Sequence, residues 1–356
     1  MTPLPLSHGQ AWTVITADTL TLLPQLPDQC IDAVVCDPPY GIDFQQAAWD
    51  GRTIRTAGAT AAGRPLTSGQ AFEQWTGIWA RELARVVKPG GHIACFAAPR
   101  MTHRLTSGLE DAGLEIRDVL MWLYGTGMPK SRRLPGGRGT ALKPAYEPIV
   151  LARTPLAGTT AATAATWGTG VLNTEACAIP DPASSTEAAM VRWPANVCLT
   201  HQPGCQSGRC STGCAAGDLD RHAQRVRPSR FFYCGKASRR ERDAGCQQLP
   251  AKTLDLFPSA AGRSRRQVRN PHPTVKPIEL MRWLTRLITP EGGVVLDPFC
   301  GSGSTGCAAT LERRLFIGIE RDPDHAQVAR ARITHHHPKP AAPASPAAST
   351  PPTARP

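Results

Sequence analysis

Short apolar runs alternate with segments of helical periodicity along most of the chain. Nearly uninterrupted apolar runs of about four to eight residues are typical of buried strands, and they occur at 12–17, 31–36, 92–96, 116–123, 147–152, 293–297 and 315–319. Between these runs, apolar spacing and helix-opening turns predict helices at 19–26, 72–87, 101–112, 278–287 and from the glycine turn after 301 to 311. The alternation predicts an α/β fold with a mostly parallel sheet and helices on both faces.

The clearest amphipathic helix is 72–87, whose apolar residues recur at helical spacing. It contains Trp75 and Trp79, and two tryptophans would suit the stacking of a nucleic-acid base. Their helical spacing instead favours packing in the core.

Other segments lack clear periodicity. Residues 41–69 are predicted to form a mobile loop over a site, and 124–143 a flexible basic loop suited to phosphate contact. The Ala/Thr/Gly-rich stretch 154–166 is predicted to be a linker. Residues 168–264 have many turn residues and a high density of cysteine, which favours a small inserted domain. The tail from 338 is rich in Pro, Ala, Ser and Thr and is predicted to be disordered, with three histidines at 335–337 at its start.

The composition indicates the kind of partner and the cellular compartment. The 356 residues carry 40 Lys and Arg against 28 Asp and Glu, a net charge of +12, and such an excess favours a polyanion such as nucleic acid. No apolar run approaches a membrane span and no signal-like segment leads the chain, so a soluble, intracellular protein without a membrane partner is expected. The twelve cysteines are scattered, which argues against a secreted disulfide scaffold.

The first candidate site is Asp37-Pro38-Pro39-Tyr40, directly after the apolar run 31–36. Prolines end the strand and stiffen the turn, which leaves a carboxylate and an aromatic ring at the carboxyl end of a strand, where α/β sheets bind ligands. The Asp37 oxygens and the Pro38 carbonyl are two acceptors that suit an amino group with two protons, and Tyr40 can lie against a planar base. The alternative is a proline turn with a solvated aspartate.

A second candidate site begins at Asp297-Pro298-Phe299 and continues into the glycine-rich turn 301–306, a helix, a strand and Glu320. Glycines allow a nucleotide to approach the backbone, and an acid at the end of the next strand binds ribose hydroxyls. The turn satisfies G-x-G-x-x-G, so a dinucleotide is the rival ligand. The carboxylate of Asp297 and the late position in the chain favour S-adenosylmethionine, which is cationic and carries a ribose.

Two further segments are candidates. His272-Pro273-Thr274-Val275-Lys276-Pro277 precedes a helix and would complete the cofactor pocket; the alternative is a proline-stiffened start of a helix. Within the insert, four residues have a spacing compatible with structural zinc, although looser than paired C-x2-C knuckles, and free thiols in a reducing compartment are the alternative. The four candidate zinc ligands are His201, Cys205, Cys210 and Cys214.

These motifs, in this order, resemble the DNA amino-methyltransferases of the β arrangement, the N6-adenine and N4-cytosine DNA methylases. The resemblance implies a Rossmann-like, seven-stranded methyltransferase sheet with an inserted target-recognition region, S-adenosylmethionine as cofactor, double-stranded DNA as partner and base flipping. It also implies a cytoplasmic enzyme, bacterial or phage-encoded, of a restriction-modification type. On this basis residues 1–153 form the catalytic half, 154–270 the inserted region with the candidate zinc ligands, 271–334 the cofactor half and 335–356 the tail. The motif Asp37-Pro38-Pro39-Tyr40 would handle the base, and the cofactor would be held by Asp18, Lys276, Asp297, Phe299, Gly301, Gly303 and Glu320.

The target base is left open between adenine N6 and cytosine N4, because both amines present two donors. Asp at the first motif position usually accompanies adenine in the enzymes that this chain resembles, so adenine is preferred. The rival classes are an NAD-dependent oxidoreductase, which leaves Asp37-Pro38-Pro39-Tyr40 unexplained, and a non-catalytic zinc-bearing DNA-binding protein, which leaves both ligand turns unexplained.

Overall fold

The computed structural model describes residues 6, 9–124, 134–142, 144–178, 193–199, 210–212, 214, 217, 236–255 and 265–337. The predicted basic loop around 125–133, much of the insert and the tail after 337 lie outside these ranges. None of the described helices is both long enough and apolar enough to cross a lipid bilayer.

Most described strands form one sheet. Its strands are β1 Trp12–Thr16, β2 Ile31–Cys36, β3 Val87–Phe96, β4 Glu115–Leu123, β5 Tyr146–Arg153, β6 Val197–Cys198, β9 Val294–Asp297 and β10 Leu315–Glu320. Their order in the sheet is β1-β10-β9-β2-β3-β5-β4-β6. Neighbours pair in parallel except β5, which is antiparallel to both β3 and β4. A separate antiparallel hairpin joins β7 Lys252–Asp255 and β8 Arg265–Val268.

Helices cover both faces of the sheet, as the alternation predicts. They are α1 Thr19–Leu22, α2 Arg52–Ala62, α3 Ser68–Val86, α4 Thr102–Glu110, α5 Thr160–Trp167, α6 Arg239–Asp243, α7 Ile278–Ile288, α8 Ser304–Leu311 and α9 Pro323–His336. One core cluster contains residues of α7, α8 and α9, and the other residues of α3 and α4. Strand β2 lies between the two clusters and is buried along its whole length, which explains its uninterrupted apolar sequence.

Helix α3 confirms the strongest helical pattern. It begins with a capping box, in which the Thr67 side chain accepts from the backbone N–H of Gln70 and the Gln70 side chain accepts in return. Trp75 and Trp79 are 6% and 0% exposed, so they belong to the core, as their spacing indicates. Strand β3 follows α3 directly at Val87, five residues earlier than the apolar run 92–96 predicts.

The prediction of a mobile loop at 41–69 is wrong, because residues 52–62 form helix α2. This helix has few large apolar residues, which hides its periodicity in the sequence. Ile54 and Gly58 are its buried residues. A Cβ at Gly58 would lie 2.0 Å from the carbonyl oxygen of Ala71, so a glycine is needed for the close approach of α2 to α3.

Three other features differ from the sequence prediction. Helix α5 occupies 160–167, where a linker is predicted. Its buried Thr163 lies against Gly90 and Gly170. The sheet has eight described strands rather than seven, because Val197 and Cys198 pair with β4. Helix α9 continues to His336, into the segment predicted as the start of a disordered tail. The domain boundaries themselves stay a prediction.

Candidate active site

The two predicted ligand turns meet at one edge of the sheet because the strands before them are parallel neighbours. Strand β2 pairs with β9, and β9 pairs with β10. The residues at or after the ends of these strands are Asp37, Asp297 and Glu320. Asp18 follows β1, which pairs with β10 up to Thr16 and Glu320, so all four predicted carboxylates lie along this edge.

Asp37 is at the centre of a dense polar cluster. Its Oδ1 accepts a hydrogen bond of 2.6 Å from the Tyr40 hydroxyl. Its Oδ2 forms an ion pair with Nζ of Lys276. The sequence assigns Lys276 to the cofactor, whereas in the structure its ammonium contacts the predicted catalytic aspartate.

Glu147 is a member of this cluster that the sequence pattern does not reveal. Its Oε2 lies 3.4 Å from Nζ of Lys276 and 3.4 Å from the Tyr40 hydroxyl. Because β5 is antiparallel, its first residues lie beside the carboxyl ends of its neighbours. The signal that would have identified Glu147 is therefore strand direction, which apolar periodicity alone does not give.

Burial and charge set the protonation of this cluster. Burial raises the pKa of Tyr40 well above its ordinary value, and the neighbouring Asp37 adds to the effect, so Tyr40 remains a neutral donor. Burial alone lowers the pKa of Lys276, but the carboxylates of Asp37 and Glu147 outweigh it and raise the pKa. Lys276 is therefore a permanent cation between two acids.

The glycine-rich turn has a backbone that only glycine adopts easily. Gly301 and Gly303 have φ of +52° and +76°. A Cβ at Gly301 would lie 2.6 Å from Nε2 of His272, and one at Gly303 would lie 2.9 Å from Cα of Ala329 in α9. The glycine-rich turn thus lies in close contact with His272 and with α9, and its residues 304–306 already belong to the first turn of α8.

Two acids hold the glycine-rich turn in place. Both oxygens of Asp297 accept hydrogen bonds, from Phe299 N at 3.0 Å and from the Thr305 hydroxyl at 2.6 Å. Glu320 accepts from the backbone N–H groups of Gly301 at 2.7 Å and Asp322 at 2.8 Å. Asp297 is 3% exposed, and burial raises its pKa to about 7 although the two hydrogen bonds oppose the change.

Asp297→Asn is expected to change how stability depends on pH. The pKa of Asp297 rises from 3.8 to about 7 on folding, so between these values the folded protein binds one proton more than the unfolded chain. Wild-type stability therefore falls as pH rises through this window, by at most about 1.4 kcal/mol per unit from this group. Asparagine does not titrate and can still accept from Phe299 and donate to Thr305.

Urea unfolding of both proteins at about pH 5 and about pH 8 measures this effect. The difference in free energy of unfolding, Asp297→Asn minus wild type, should be larger at the higher pH. Asp322→Asn, at the N-cap of α9, is the control because asparagine also caps helices. An Asp297→Asn advantage that is equal at the two pH values would contradict the prediction.

Phe299 and Asp18 flank the turn. The Phe299 ring packs against Trp75 and Trp79, with centroid distances of 5.7 and 5.4 Å, so the core helix α3 supports a predicted cofactor residue. The Asp18 side chain caps α1 by accepting from Leu20 N at 2.9 Å. Its neighbour Thr19 donates to the Pro298 carbonyl, which ties the Asp18 loop to the Asp297 turn.

The segment 272–277 bridges the two turns. His272 is buried beside Gly301, and burial together with the neighbouring His325 lowers its pKa well below the ordinary value, so it is neutral. Arg242 of α6 donates to the His272 carbonyl, and Glu241 accepts from Ile278 N at the start of α7. The described end of the insert is thus attached to this segment.

A cavity joins the catalytic turn to the glycine-rich turn. Its lining includes Asp37, Lys276, Thr274, Phe299, Gly301 and Ser302. A ligand on the glycine-rich turn would therefore face the Asp37 cluster directly. The two predicted ligand turns therefore line one cavity.

The zinc prediction concerns residues that the structure describes only in part. His201 and Cys205 lie outside the described ranges, whereas Cys210 and Cys214 are inside them. Among the described residues there is no group of three or more His, Cys, Asp or Glu side chains placed to hold a metal. Zinc at these four residues stays a prediction.

Comparison with known proteins gives the family. The DNA methylase family model (N6_N4_Mtase) matches residues 31–331. The Type II methyltransferase M.HindIII of Haemophilus influenzae is 24% identical over 347 residues, 87% of this chain and 91% of that protein. The Type II methyltransferase M2.DpnII of Streptococcus pneumoniae is 44% identical over 62 residues, 17% of this chain and 23% of that protein.

A solved structure agrees on the fold. The PvuII DNA methyltransferase, described as cytosine-N4-specific, has a TM-score of 0.54 and 15% identity, covering 90% of this chain and 86% of that chain. The matched family range contains both ligand turns and the segment 272–277 that bridges them. Because that range spans most of the sequence, the chain belongs to the DNA methylase family.

Proposed function

We propose that this protein transfers a methyl group from S-adenosylmethionine to the exocyclic amine of a base flipped out of double-stranded DNA, with adenine N6 as the target. The observation that carries the proposal is the shared cavity, whose lining contains both the Asp37 acceptor and residues of the glycine-rich turn. Family membership supports DNA methylation, and the site supports the choice of cofactor and the roles of the residues.

The residues of the turn fit S-adenosylmethionine better than a dinucleotide. Glu320 follows the strand after the turn, where an acid binds ribose hydroxyls, and the Phe299 ring offers an apolar surface to the adenine. Lys276 is a cation in the described cavity lining, but Asp37 already neutralises it. The negative charge of a pyrophosphate would lie beside these carboxylates, and the described lining offers it no unpaired cation. The positive charge of a sulfonium would instead be attracted by the carboxylates.

Asp37 would activate the target amine. The amine lone pair is conjugated with the ring, so hydrogen bonds from its two protons to Asp37 and to the Pro38 carbonyl would favour a pyramidal, more nucleophilic nitrogen. The Tyr40 ring would stack on the base, and its hydroxyl keeps Asp37 oriented. The bound cofactor supplies an electrophilic methyl group, and alignment of the two reactants can contribute about 7–11 kcal/mol at best.

A duplex hides the amine, so the base has to leave the stack, as it does in methyltransferases generally. The net charge of +12 supports binding to the phosphates. Arg239 and Arg240 of α6 are exposed next to the segment 272–277, where they would contact the DNA backbone. The relatives named as Type II methyltransferases support a bacterial or phage-encoded, cytoplasmic modification enzyme.

Adenine is favoured over cytosine by the residue that begins the motif. A carboxylate accepts a charge-assisted hydrogen bond, which is about twice as strong as a neutral one, and Asp at this position usually accompanies adenine in the enzymes that this chain resembles. The fold does not discriminate, since a cytosine-N4-specific enzyme shares it. The choice therefore depends on Asp37.

The test is to methylate unmodified DNA with a labelled donor and to digest the product to nucleosides. Label in N6-methyldeoxyadenosine is expected. Label in N4-methyldeoxycytidine would overturn the choice of base and leave the cofactor unaffected. Parallel calorimetric titrations with S-adenosylmethionine and NAD test the cofactor, and binding of NAD alone would contradict the proposed reaction.

A further inference from the structure

Lys276 is placed between two carboxylates that it can reach without moving its backbone. Its Nζ is paired with Asp37 and lies 3.4 Å from Oε2 of Glu147. The side chains are 6% exposed for Lys276, 16% for Asp37 and 18% for Glu147. The Lys276 ammonium thus lies between two acids, and all three groups are largely screened from water.

The paired state of Asp37 conflicts with its proposed role. Oδ1 accepts from Tyr40 and Oδ2 is held by Lys276, so both oxygens already have a protein donor. An incoming amine therefore competes with Lys276 for Oδ2, the oxygen that the Tyr40 hydroxyl does not occupy. Removing a buried ammonium from its partner with nothing in exchange is strongly unfavourable, because it leaves an uncompensated buried charge.

We propose that Lys276 is a displaceable counter-ion: when the target amine binds Asp37, the ammonium moves onto Glu147, which is the positioning residue that receives it. This inference rests on the proposed base methylation. The Lys276 ammonium favours the ionised form of Asp37, and Glu147 gives the ammonium a second partner when it leaves Asp37. The Lys276 stem contains four carbons with rotatable bonds, so a shift of its head between two adjacent carboxylates needs no movement of the backbone.

The side chains around Glu147 suit a buried ion pair between Glu147 and Lys276. Burial, together with the neighbouring Glu147 carboxylate, raises the pKa of the Tyr124 hydroxyl above its ordinary value. Lys236 lies over the Tyr124 ring at 3.7 Å from the centroid. The ring of Phe96 lies 4.9 Å from Nζ of Lys276, which provides a cation–π contact for the ammonium.

The charged and titratable groups around Asp37 should influence how the methylation rate depends on pH, so the pH profile of that rate tests the proposal. Burial raises the pKa of Asp37 above its ordinary value; Lys276 opposes this rise and Glu147 adds to it. The other groups that face it are Tyr40 on the same turn, Cys36 before it and Asp297 across the cavity. Removal of Glu147 should move the acid limb of the methylation rate to lower pH, and removal of Lys276 should move it to higher pH.

The test is a double-mutant cycle of Glu147→Gln and Lys276→Met under single-turnover conditions with labelled donor and duplex DNA. Glu147→Gln leaves Lys276 fixed on Asp37 and should lower the methylation rate at least about tenfold, the scale of coupling expected within one network. The double variant has no cation to displace and no second carboxylate, so it should be about tenfold faster than Glu147→Gln alone.

A matched control is the cycle of Glu73→Gln and Arg104→Met, an ion pair of 2.6 Å between α3 and α4. Its variants should not change the methylation rate or shift the acid limb. The affinity of every variant for S-adenosylmethionine is measured by calorimetric titration. A loss of cofactor affinity in Lys276→Met would show that this residue binds the cofactor and would overturn the proposal.

The outcomes separate this inference from the proposed function. A wild-type protein that transfers no label to DNA would contradict the proposed function itself. A wild-type protein that methylates DNA, with a double variant as slow as or slower than Glu147→Gln, would overturn only the counter-ion proposal. Acid limbs that move in the same direction in both single variants would overturn it as well.

Discussion

Asp37→Ala is expected to lower the rate of methyl transfer by about 10³-fold while S-adenosylmethionine still binds. The loss of one preorganised hydrogen-bonding group in an active site has effects of about this size. The glycine-rich turn is held by Asp297 and Glu320 and makes no hydrogen bond with Asp37 among the described residues. The cofactor dissociation constant should therefore remain close to that of wild type.

The fold should tolerate this change, because Lys276 keeps Glu147 as a partner. Asp37→Asn is the second variant: it preserves the volume of the side chain and removes the charge, and it should also be strongly impaired. Asp111→Ala, an exposed aspartate after α4, is the control. Labelled methyl transfer, calorimetric titration and circular dichroism measure activity, cofactor binding and folding. Loss of cofactor affinity together with activity in Asp37→Asn would contradict the division between the two turns.

The sequence was sufficient where one local pattern determined the structure. The uninterrupted apolar sequence of β2 and the prolines after it place Asp37 at the edge of the sheet. The glycines at 301 and 303 require a left-handed backbone, and both adopt it. The apolar positions of α7 are buried as their spacing predicts. In each case a buried face or a restricted backbone leaves a strong local signal.

The sequence was insufficient where contacts between distant segments decided the outcome. Glu147 is 110 positions from Asp37 in the printed sequence, and only the antiparallel direction of β5 brings it to the same edge. Lys276 is within four residues of His272, yet His272 packs on the glycine-rich turn and Lys276 reaches Asp37. Helix α2 is hidden because its contact with α3 depends on a small residue, Gly58, rather than on a row of large apolar ones.

The glycine-rich turn gives the second large expected effect. In Gly303→Ala the new side chain meets two obstacles at once. The backbone has φ of +76°, which costs about 1–2 kcal/mol for a residue with a Cβ. The Cβ would also lie 2.9 Å from Cα of Ala329, and forcing extra atoms into a packed contact costs about 1–3 kcal/mol.

Gly303→Ala should therefore lose about 2–5 kcal/mol of unfolding free energy by these two terms and bind S-adenosylmethionine at least about tenfold more weakly, which corresponds to about 1.4 kcal/mol. Gly292→Ala is a matched control, since its φ is +68° and no described heavy atom lies within 4 Å of its Cβ position. It should show only the backbone cost and unchanged cofactor affinity. Urea unfolding and calorimetric titration, at a temperature where both variants are folded, measure the two quantities. Equal losses of stability and equal cofactor affinity in the two variants would show that the approach of α9 to the turn does not shape the cofactor site.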